Sequence, residues 1–246
     1  MKFYDDFIGN GEENVVLPFT GGDSERQFLE NQKRVRKDWY YFDHPISYSY
    51  NEYGHRSKNI KDIDLDNYVI FTGCSHTVGV GLELEKTFPY LVSQKLGVDY
   101  YNIAMAATGI DVLEYNLLTW FAKVKKKPKY VFIQWPDHSR FASYRKDYDL
   151  MHEVGSWSTD VHDRNLMING EDTGLFYARK ELARRLITQT VDAPIHSYDY
   201  GGQQPYGTWN HKLRHIDWAR DLSHTGIKSH AKFTDLLCEH IQSINS

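Results

Sequence analysis

Four short segments of this 246-residue chain carry the residue types that acyl chemistry needs. Gly73-Cys74-Ser75-His76-Thr77-Val78-Gly79 offers a serine hydroxyl among small residues, and Ala106-Ala107-Thr108-Gly109 offers backbone amides with little side chain to cover them. Pro136-Asp137-His138 and Asp221-Leu222-Ser223-His224 each bring an aspartate and a histidine together. A serine becomes a nucleophile when an imidazole takes its proton, and the imidazole works when a carboxylate holds its other nitrogen. Asp221 and His224 stand three apart ahead of a helix, a spacing that lets the carboxylate orient the ring while the far nitrogen faces Ser75. A serine at a strand-to-helix turn also lies beside free backbone N–H groups, which suit a developing oxyanion. Alone, Gly-x-Ser is a common turn and reads as a helix cap; the combination with Asp221 and His224 is what points to a nucleophile.

Competing chemistries fit less well. The glycine-rich run from Gly73 to Gly81 lacks the Gly-Lys-Ser/Thr ending of a phosphate loop and the third glycine of a dinucleotide-binding turn. Cys74 is intrinsically the stronger nucleophile, yet its plain reading is a small packed residue. His76, adjacent to Ser75, is badly placed to be its base and reads as a surface or substrate contact. His211 and His215, four apart, would share a helix face, but no third ligand has a matching spacing, so they read as solvated residues of the loop before Asp221 and no metal is expected.

The elements that must position these residues follow from the apolar pattern. From Tyr68 onward, short apolar runs alternate with helix-length periodic segments, the pattern of an α/β domain with a mainly parallel sheet. Strands are predicted at Tyr68 to Thr72, Tyr100 to Ala104, Tyr130 to Trp135 and Ile195 to Tyr198, and helices near Thr87 to Leu96, Gly174 to Thr190 and Gly226 to Ile244. Leu113, Leu117, Trp120, Phe121 and Val124 stack on one face of a further helix that ends in Lys125, Lys126 and Lys127, read as a solvated last turn that complements the helix dipole. In an open sheet of this kind ligands bind beyond the carboxyl ends of the strands, which is where the four segments fall. Residues 1–65 are polar and aromatic without helical periodicity, apart from an alternating stretch at Ile46 to Tyr50 before the turn-like Asn51 to Gly54. They read as an N-terminal extension packed on a domain of residues 66–246. About Ser143 to Thr173 the pattern is again irregular and reads as a long loop or insertion, the kind that often serves as a lid.

The bulk composition narrows the functions. With 29 Lys plus Arg against 33 Asp plus Glu, the net charge of -4 disfavours a protein built to neutralise phosphates, so no nucleic-acid partner is expected. No apolar run approaches the ~20 residues needed to cross a bilayer, and Met1 to Asn10 lacks a basic segment followed by an apolar one, so no membrane partner and a cytoplasmic location are expected. The two cysteines, Cys74 and Cys238, form no Cys-x-x-Cys pair and fit a reducing compartment. Aromatics make up 15% of the chain, with clusters at Trp39, Tyr40, Tyr41 and Phe42 and at Tyr198, Tyr200, Tyr206 and Trp209; such rings suit carbohydrate or aromatic-acyl contact and equally fill core edges.

The ordered blocks Phe71-Thr72-Gly73-Cys74-Ser75 with Gly79 and Gly81, Tyr101-Asn102-Ile103-Ala104, and Arg220-Asp221-Leu222-Ser223-His224-Thr225-Gly226 resemble those of the SGNH (GDSL-like) hydrolase family. The resemblance spans about Tyr68 to Ile244. It implies a flavodoxin-like three-layer α/β/α sandwich, Ser75 as nucleophile rather than Cys74, His224 as general base and Asp221 as the acid that orients it. It also implies an oxyanion hole built from the N–H of Ser75, a second-block glycine N–H and a third-block asparagine side chain. Here the second-block position falls on Ala107, with a glycine only at Gly109. The third block reads Gln134-Trp135-Pro136-Asp137, leaving Gln134 as the candidate amide donor.

The reading is therefore a serine esterase or deacylase without a cofactor, acting on a small-molecule or carbohydrate ester, for instance an O-acyl group on a sugar. Two alternatives stay open: an O-acyltransferase with the same triad, and a catalytically weak carbohydrate-binding protein on the same scaffold.

Overall fold

The computed structural model describes residues 6–10, 13–137, 139–145, 150–172, 174–199 and 214–245. In chain order its elements are β1 (Val15–Leu17), α1 (Glu25–Gln32), β2 (Tyr48–Tyr50), β3 (Tyr68–Thr72), α2 (Ser75–Val78), α3 (Phe88–Leu96), β4 (Asp99–Asn102), α4 (Ile110–Lys123), β5 (Val131–Trp135), β6 (Phe141–Arg145), β7 (Leu150–Val154), α5 (Val161–Asp172), α6 (Leu175–Thr190), β8 (Ile195–Asp199) and α7 (Ile227–Asn245).

The central sheet has the order β4-β3-β5-β8, every neighbouring pair parallel. Successive side chains of a strand point to opposite faces, and both faces are covered. Tyr68 and Ile70 of β3 join Leu113, Leu117 and Trp120 of α4 and Ala183 and Ile187 of α6 in one core. Val69 and Phe71 join Phe88 and Val92 of α3 and Phe233 and Leu237 of α7 in the other. The outcome is the expected three-layer α/β/α sandwich, and because β3 and β5 are buried at every residue they read as mostly apolar runs, with Thr72 and Gln134 as the polar exceptions. The predicted strands and helices recur with ends displaced by no more than two residues. The exception is the helix before Pro128, which ends earlier than expected, at Lys123, so the lysine run lies just beyond its last turn: Lys125 Nζ donates back to the Ala122 carbonyl (2.6 Å), whereas Lys126 pairs with Asp66 (2.5 Å) and Lys127 with Asp192.

Strand order reverses at β3, which has β4 on one side and β5 on the other. The crevice beyond the carboxyl ends of β3 and β5 is thus the topological switch point, and Ser75 opens α2 at its edge.

Two stretches differ from the sequence expectation. Residues 1–65 do hold a helix, α1, which buries only Asn31 and so shows no apolar stripe; its signal is the cap, with Ser24 Oγ accepting from the Gln27 N–H at 3.3 Å. The alternation at Ile46 to Tyr50 is real, with Tyr48 and Tyr50 buried and Ser49 exposed, but β2 pairs antiparallel with β1 and not across the Asn51 to Gly54 turn. The stretch around 143–173, read as irregular, carries the antiparallel β6–β7 hairpin and α5. Its strands mix polar and apolar residues without alternation, so no period of two marks them. Among the described residues no helix is long and apolar enough to cross a membrane. Tyr200, Tyr206, Trp209, His138 and His211 lie outside the described residues.

Candidate active site

Ser75, Asp221 and His224 meet at the switch point. His224 Nε2 is 2.8 Å from Ser75 Oγ, and its Nδ1 is hydrogen-bonded to Asp221 Oδ2. A carboxylate can only accept, so the Nδ1 proton points at Asp221 and Nε2 is left as the acceptor for the serine hydroxyl. Side-chain exposure falls from 17% at His224 to 0% at Asp221, and Ser75 is 8% exposed, so the hydroxyl can be approached from the histidine side while the carboxylate is shut away from water.

The Asp221 loop is held from several directions. Asp221 Oδ1 accepts the N–H groups of Ser223 and His224, both at 3.0 Å, which folds Asp-x-x-His into a closed turn with Leu222 at φ +55°. Gly81, at φ +79°, lets the first block approach this loop: a Cβ there would lie 2.6 Å from Ala219 Cβ and 3.3 Å from Asp221 Oδ1. The N-terminal residues complete the clamp. Gln27 Nε2 donates to the Asp221 carbonyl (2.7 Å) and Asn31 Nδ2 to the Arg220 carbonyl (3.1 Å). The Arg220 guanidinium forms a buried ion pair with Asp23 (2.7 Å), Asp23 accepts from Tyr48 Oη (2.5 Å), and Tyr48 Oη accepts the Gly81 N–H (2.8 Å).

The oxyanion end departs from expectation in two places. Ala107 is half-buried with φ +63°, the left-handed conformation a glycine would adopt without strain. Among the described residues nothing accepts from the N–H of Ala107 or of Ser75. Gly109 is not a third donor, because its N–H is taken by Glu153 Oε2 of β7 at 3.1 Å. Gln134 does not line the cleft either. It is fully buried, and its Oε1 accepts from Thr77 Oγ1 (2.6 Å) and weakly from Cys74 Sγ (3.5 Å), tying β5 to α2. The reason is strand parity: Gln134 points toward α2 rather than beyond the strand end. Cys74 is fully buried beside it, the packed residue the sequence suggests.

His76 is buried, not a surface residue, and its ring centre is 4.7 Å from that of His224. It is held by a chain of hydrogen bonds: the Phe88 N–H donates to His230 Nδ1 (3.0 Å), leaving the His230 proton on Nε2 to donate to Thr225 Oγ1 (3.1 Å), and the Thr225 hydroxyl is hydrogen-bonded to His76 Nδ1 (3.0 Å). Burial pushes His230 down to about 3 and, with His224 adding to it, holds His76 well below the usual imidazole range, so both rings are neutral. His215 packs on Trp218 with ring centres 4.3 Å apart. Of the other aspartates nearby, Asp137 is exposed and accepts from Ser139, and Asp217 caps the start of α7 through Lys228 and Ser229; Asp221 is the one bonded to His224.

No family model matches the chain, and no curated protein matches it. Solved structures similar to it include a carbohydrate esterase family 2 enzyme with a carbohydrate-binding domain from Corynascus thermopiles (Myceliophthora fergusii), at 14% identity over 72% of this chain and 66% of that one, TM-score 0.45. An acetyl xylan esterase from the rumen bacterium Butyrivibrio proteoclasticus is similar at 10% identity over 72% and 64%, TM-score 0.41. A GDSL-like lipase from Bacteroides thetaiotaomicron is similar at 12% identity over 76% and 93%, TM-score 0.36. The chain spans just under two thirds of the first two, 66% and 64% of their length. Each is a distant likeness, and the chemistry of the site rests on this chain's own geometry.

Sequence reasoning missed the partners that hold the site. Asp23, Gln27, Asn31 and Tyr48 act from the N-terminal residues, and Glu153 from the hairpin. The Ser24-x-x-Gln27 capping pattern was a usable signal for α1; the ion pair between Asp23 and Arg220 has none, since nothing local links residues 197 positions apart.

Proposed function

We propose that the protein is a serine esterase of the SGNH (GDSL-like) type, with residues 66–246 as its catalytic domain and residues 1–65 as an extension that braces the Asp221 loop. The observation that carries this reading is His224 bridging Ser75 Oγ and Asp221 through its two ring nitrogens. Ser75 Oγ attacks the ester carbonyl as His224 Nε2 takes its proton, and the imidazolium that forms is held by Asp221. The carbonyl oxygen, now an oxyanion, is met by the N–H groups of Ser75 and Ala107. His224 returns the proton to the leaving alcohol, and a water activated by the same ring then releases the acyl group from Ser75. Without a third-block asparagine the hole has one donor fewer, an omission that typically costs ~2.7 to 4 kcal/mol of transition-state stabilisation. The substrate class we favour is an O-acylated carbohydrate: Trp218 is 54% exposed and leans on His215, whose ring in turn faces His76, giving an aromatic wall beside the triad.

The test is a panel of acyl esters, acetylated sugars among them, run on the wild type and Ser75→Ala, together with a fluorophosphonate whose adduct is mapped by peptide mass. Turnover lost in Ser75→Ala and an adduct on Ser75 are expected. An adduct that maps to Cys74, or turnover that survives in Ser75→Ala, overturns the reading.

A further inference from the structure

The turn that carries Ala107 is fixed on both sides by groups outside it. Before Ala107, the Met105 N–H donates to the Gly73 carbonyl (3.2 Å) and the Ala106 N–H to Asn10 Oδ1 (3.1 Å). After it, the Gly109 N–H donates to Glu153 Oε2 (3.1 Å), and Thr108 Oγ1 lies 3.5 Å from Glu153 Oε1. The N–H groups of Ala107 and Thr108, between these anchors, have no acceptor among the described residues. Gly109 also stands at the cap position of α4, where it has no side chain to offer, so the anchor at this end has to come from elsewhere in the chain.

It comes from the β6–β7 hairpin, which is seated directly on the turn. A Cβ on Gly109 would lie 2.7 Å from Phe141 Cα and 2.8 Å from the Arg140 carbonyl oxygen, so a glycine is what lets the two backbones meet. Ala142 and Glu153 face each other across the ladder, and both are tied to the start of α4. The Ala142 N–H donates to Asp111 Oδ2 (2.7 Å), while Glu153 accepts from Gly109. One rung of the hairpin thus holds the residues on either side of Ile110, and with them the exit of the turn.

Resting on the esterase reading, we infer that Glu153 is a positioning residue for ester hydrolysis: by gripping Gly109 from the hairpin it fixes the turn in which the Ala107 N–H meets the developing oxyanion. The stretch whose length suggested a lid serves as a brace. The charged groups that face Glu153 are Asp111 from α4 and Arg140 from the segment before β6. Burial, then Asp111, push its carboxyl up to about 8, against the Gly109 N–H, the Thr108 hydroxyl and Arg140, so at neutral pH it is largely protonated. A neutral carboxyl still accepts an N–H, and it sets no negative charge behind the peptide groups that must meet one. Ionised in the same buried place, it opposes the oxyanion through a medium that screens poorly.

The experiment measures kcat and KM for 4-nitrophenyl acetate as a function of pH in wild type, Glu153→Gln and Glu153→Ala, with Ser75→Ala as the background at each pH. Exchange of the Gly109 amide is followed by NMR in the same proteins. Glu153→Ala frees the turn and is expected to lower kcat by ~10- to 100-fold with KM little changed, a displacement on the order of 1 Å being enough for such a loss. Glu153→Gln keeps an acceptor and cannot ionise, so it should recover most of that kcat at neutral pH. Wild-type kcat should fall as pH rises through about 8, and that of Glu153→Gln should not. An undiminished or raised kcat in Glu153→Ala overturns the inference, as does an alkaline fall shared by wild type and Glu153→Gln. If Glu153→Ala does not fold, the second comparison decides, because a merely structural role would leave the pH profile unmoved. A Gly109 amide that exchanges no faster in Glu153→Ala removes the grip whether or not the chain turns esters over. Wild-type turnover no greater than that of Ser75→Ala rejects the esterase reading and the role built on it, whereas ester turnover with unchanged kcat in Glu153→Ala rejects Glu153 alone.

Discussion

At the Asp221 end of the cleft both carboxylate oxygens are engaged, the loop carbonyls of Arg220 and Asp221 are pinned by α1, and the arginine between them is neutralised by a buried aspartate. At the Ala107 end the proposed oxyanion hole rests on two backbone N–H groups, one of them on a residue held at positive φ, two positions before a glycine whose own N–H is spent on Glu153. The difference reflects what each end has to do. A general base must present one nitrogen along one direction, so its side chain and the side chains behind it are specified. An oxyanion donor of this kind is a peptide group, so a conformation is specified and the residue type is free to drift. Positions that direct a side chain therefore keep a recognisable chemistry, whereas positions that direct a backbone can change letter and still serve.

That contrast breaks most visibly at Asp221. Asp221→Asn keeps an oxygen to accept the Ser223 and His224 N–H groups but no longer enforces the tautomer of the ring, so kcat is expected to fall by ~10⁴-fold with the melting temperature little changed. Turnover near wild type in steady-state kinetics would remove Asp221 from the triad. Next in size is Asp23→Ala. It leaves Arg220 buried without its counter-charge, and breaking such a pair costs ~3 to 5 kcal/mol, or a drop of roughly 10 °C in melting temperature for a chain of this length. A calorimetric scan within about 2 °C of wild type would show that the N-terminal clamp is dispensable.

These two experiments also separate what was legible in the sequence from what was not. Ser75, Asp221 and His224 could be read because side-chain chemistry at fixed spacing is written in the letters themselves. The central sheet could be read because strands covered on both faces are mostly apolar, as Tyr68 to Phe71 shows. The clamp could not, because Asp23 and Arg220 are brought together only by the fold. The oxyanion end was misread in part for the same reason that it tolerates substitution. Gly109 has the expected letter and an occupied N–H, while Ala107 has another letter and an N–H with no acceptor among the described residues. Gln134 was open to either reading because a strand-end residue faces the cleft or a covering helix according to a parity of one residue, which the apolar run Tyr130 to Ile133 does not reveal.

Gln134→Ala sharpens the comparison from the middle of the scale. It deprives Thr77 Oγ1 of its buried acceptor, so a loss of ~1 to 3 kcal/mol of stability is expected, while the folded fraction keeps its kcat to within about threefold. Measuring kcat beside the melting temperature tells the cases apart. A fall of ~100-fold in kcat with KM unchanged would restore Gln134 as an oxyanion donor and contradict its place behind α2.

The smallest effect belongs to Ala107→Gly. Holding an alanine at φ +63° costs roughly 1 to 2 kcal/mol through the approach of Cβ to the backbone carbonyl, a strain glycine does not feel. Against that, glycine loses more conformational freedom on folding, a cost of about 0.5 to 1 kcal/mol. The relief of strain outweighs the lost freedom, so the variant is expected to gain up to about 1 kcal/mol, seen as a rise of about 2 to 4 °C in melting temperature. The peptide N–H is the same group in both proteins and points the same way, so kcat should stay within about threefold of wild type. Destabilisation would mean that the methyl packs usefully. An unchanged stability with a tenfold drop in kcat would mean that it touches the substrate, and in either outcome the side chain at 107 would be specified after all, which would erase the contrast with the Asp221 end.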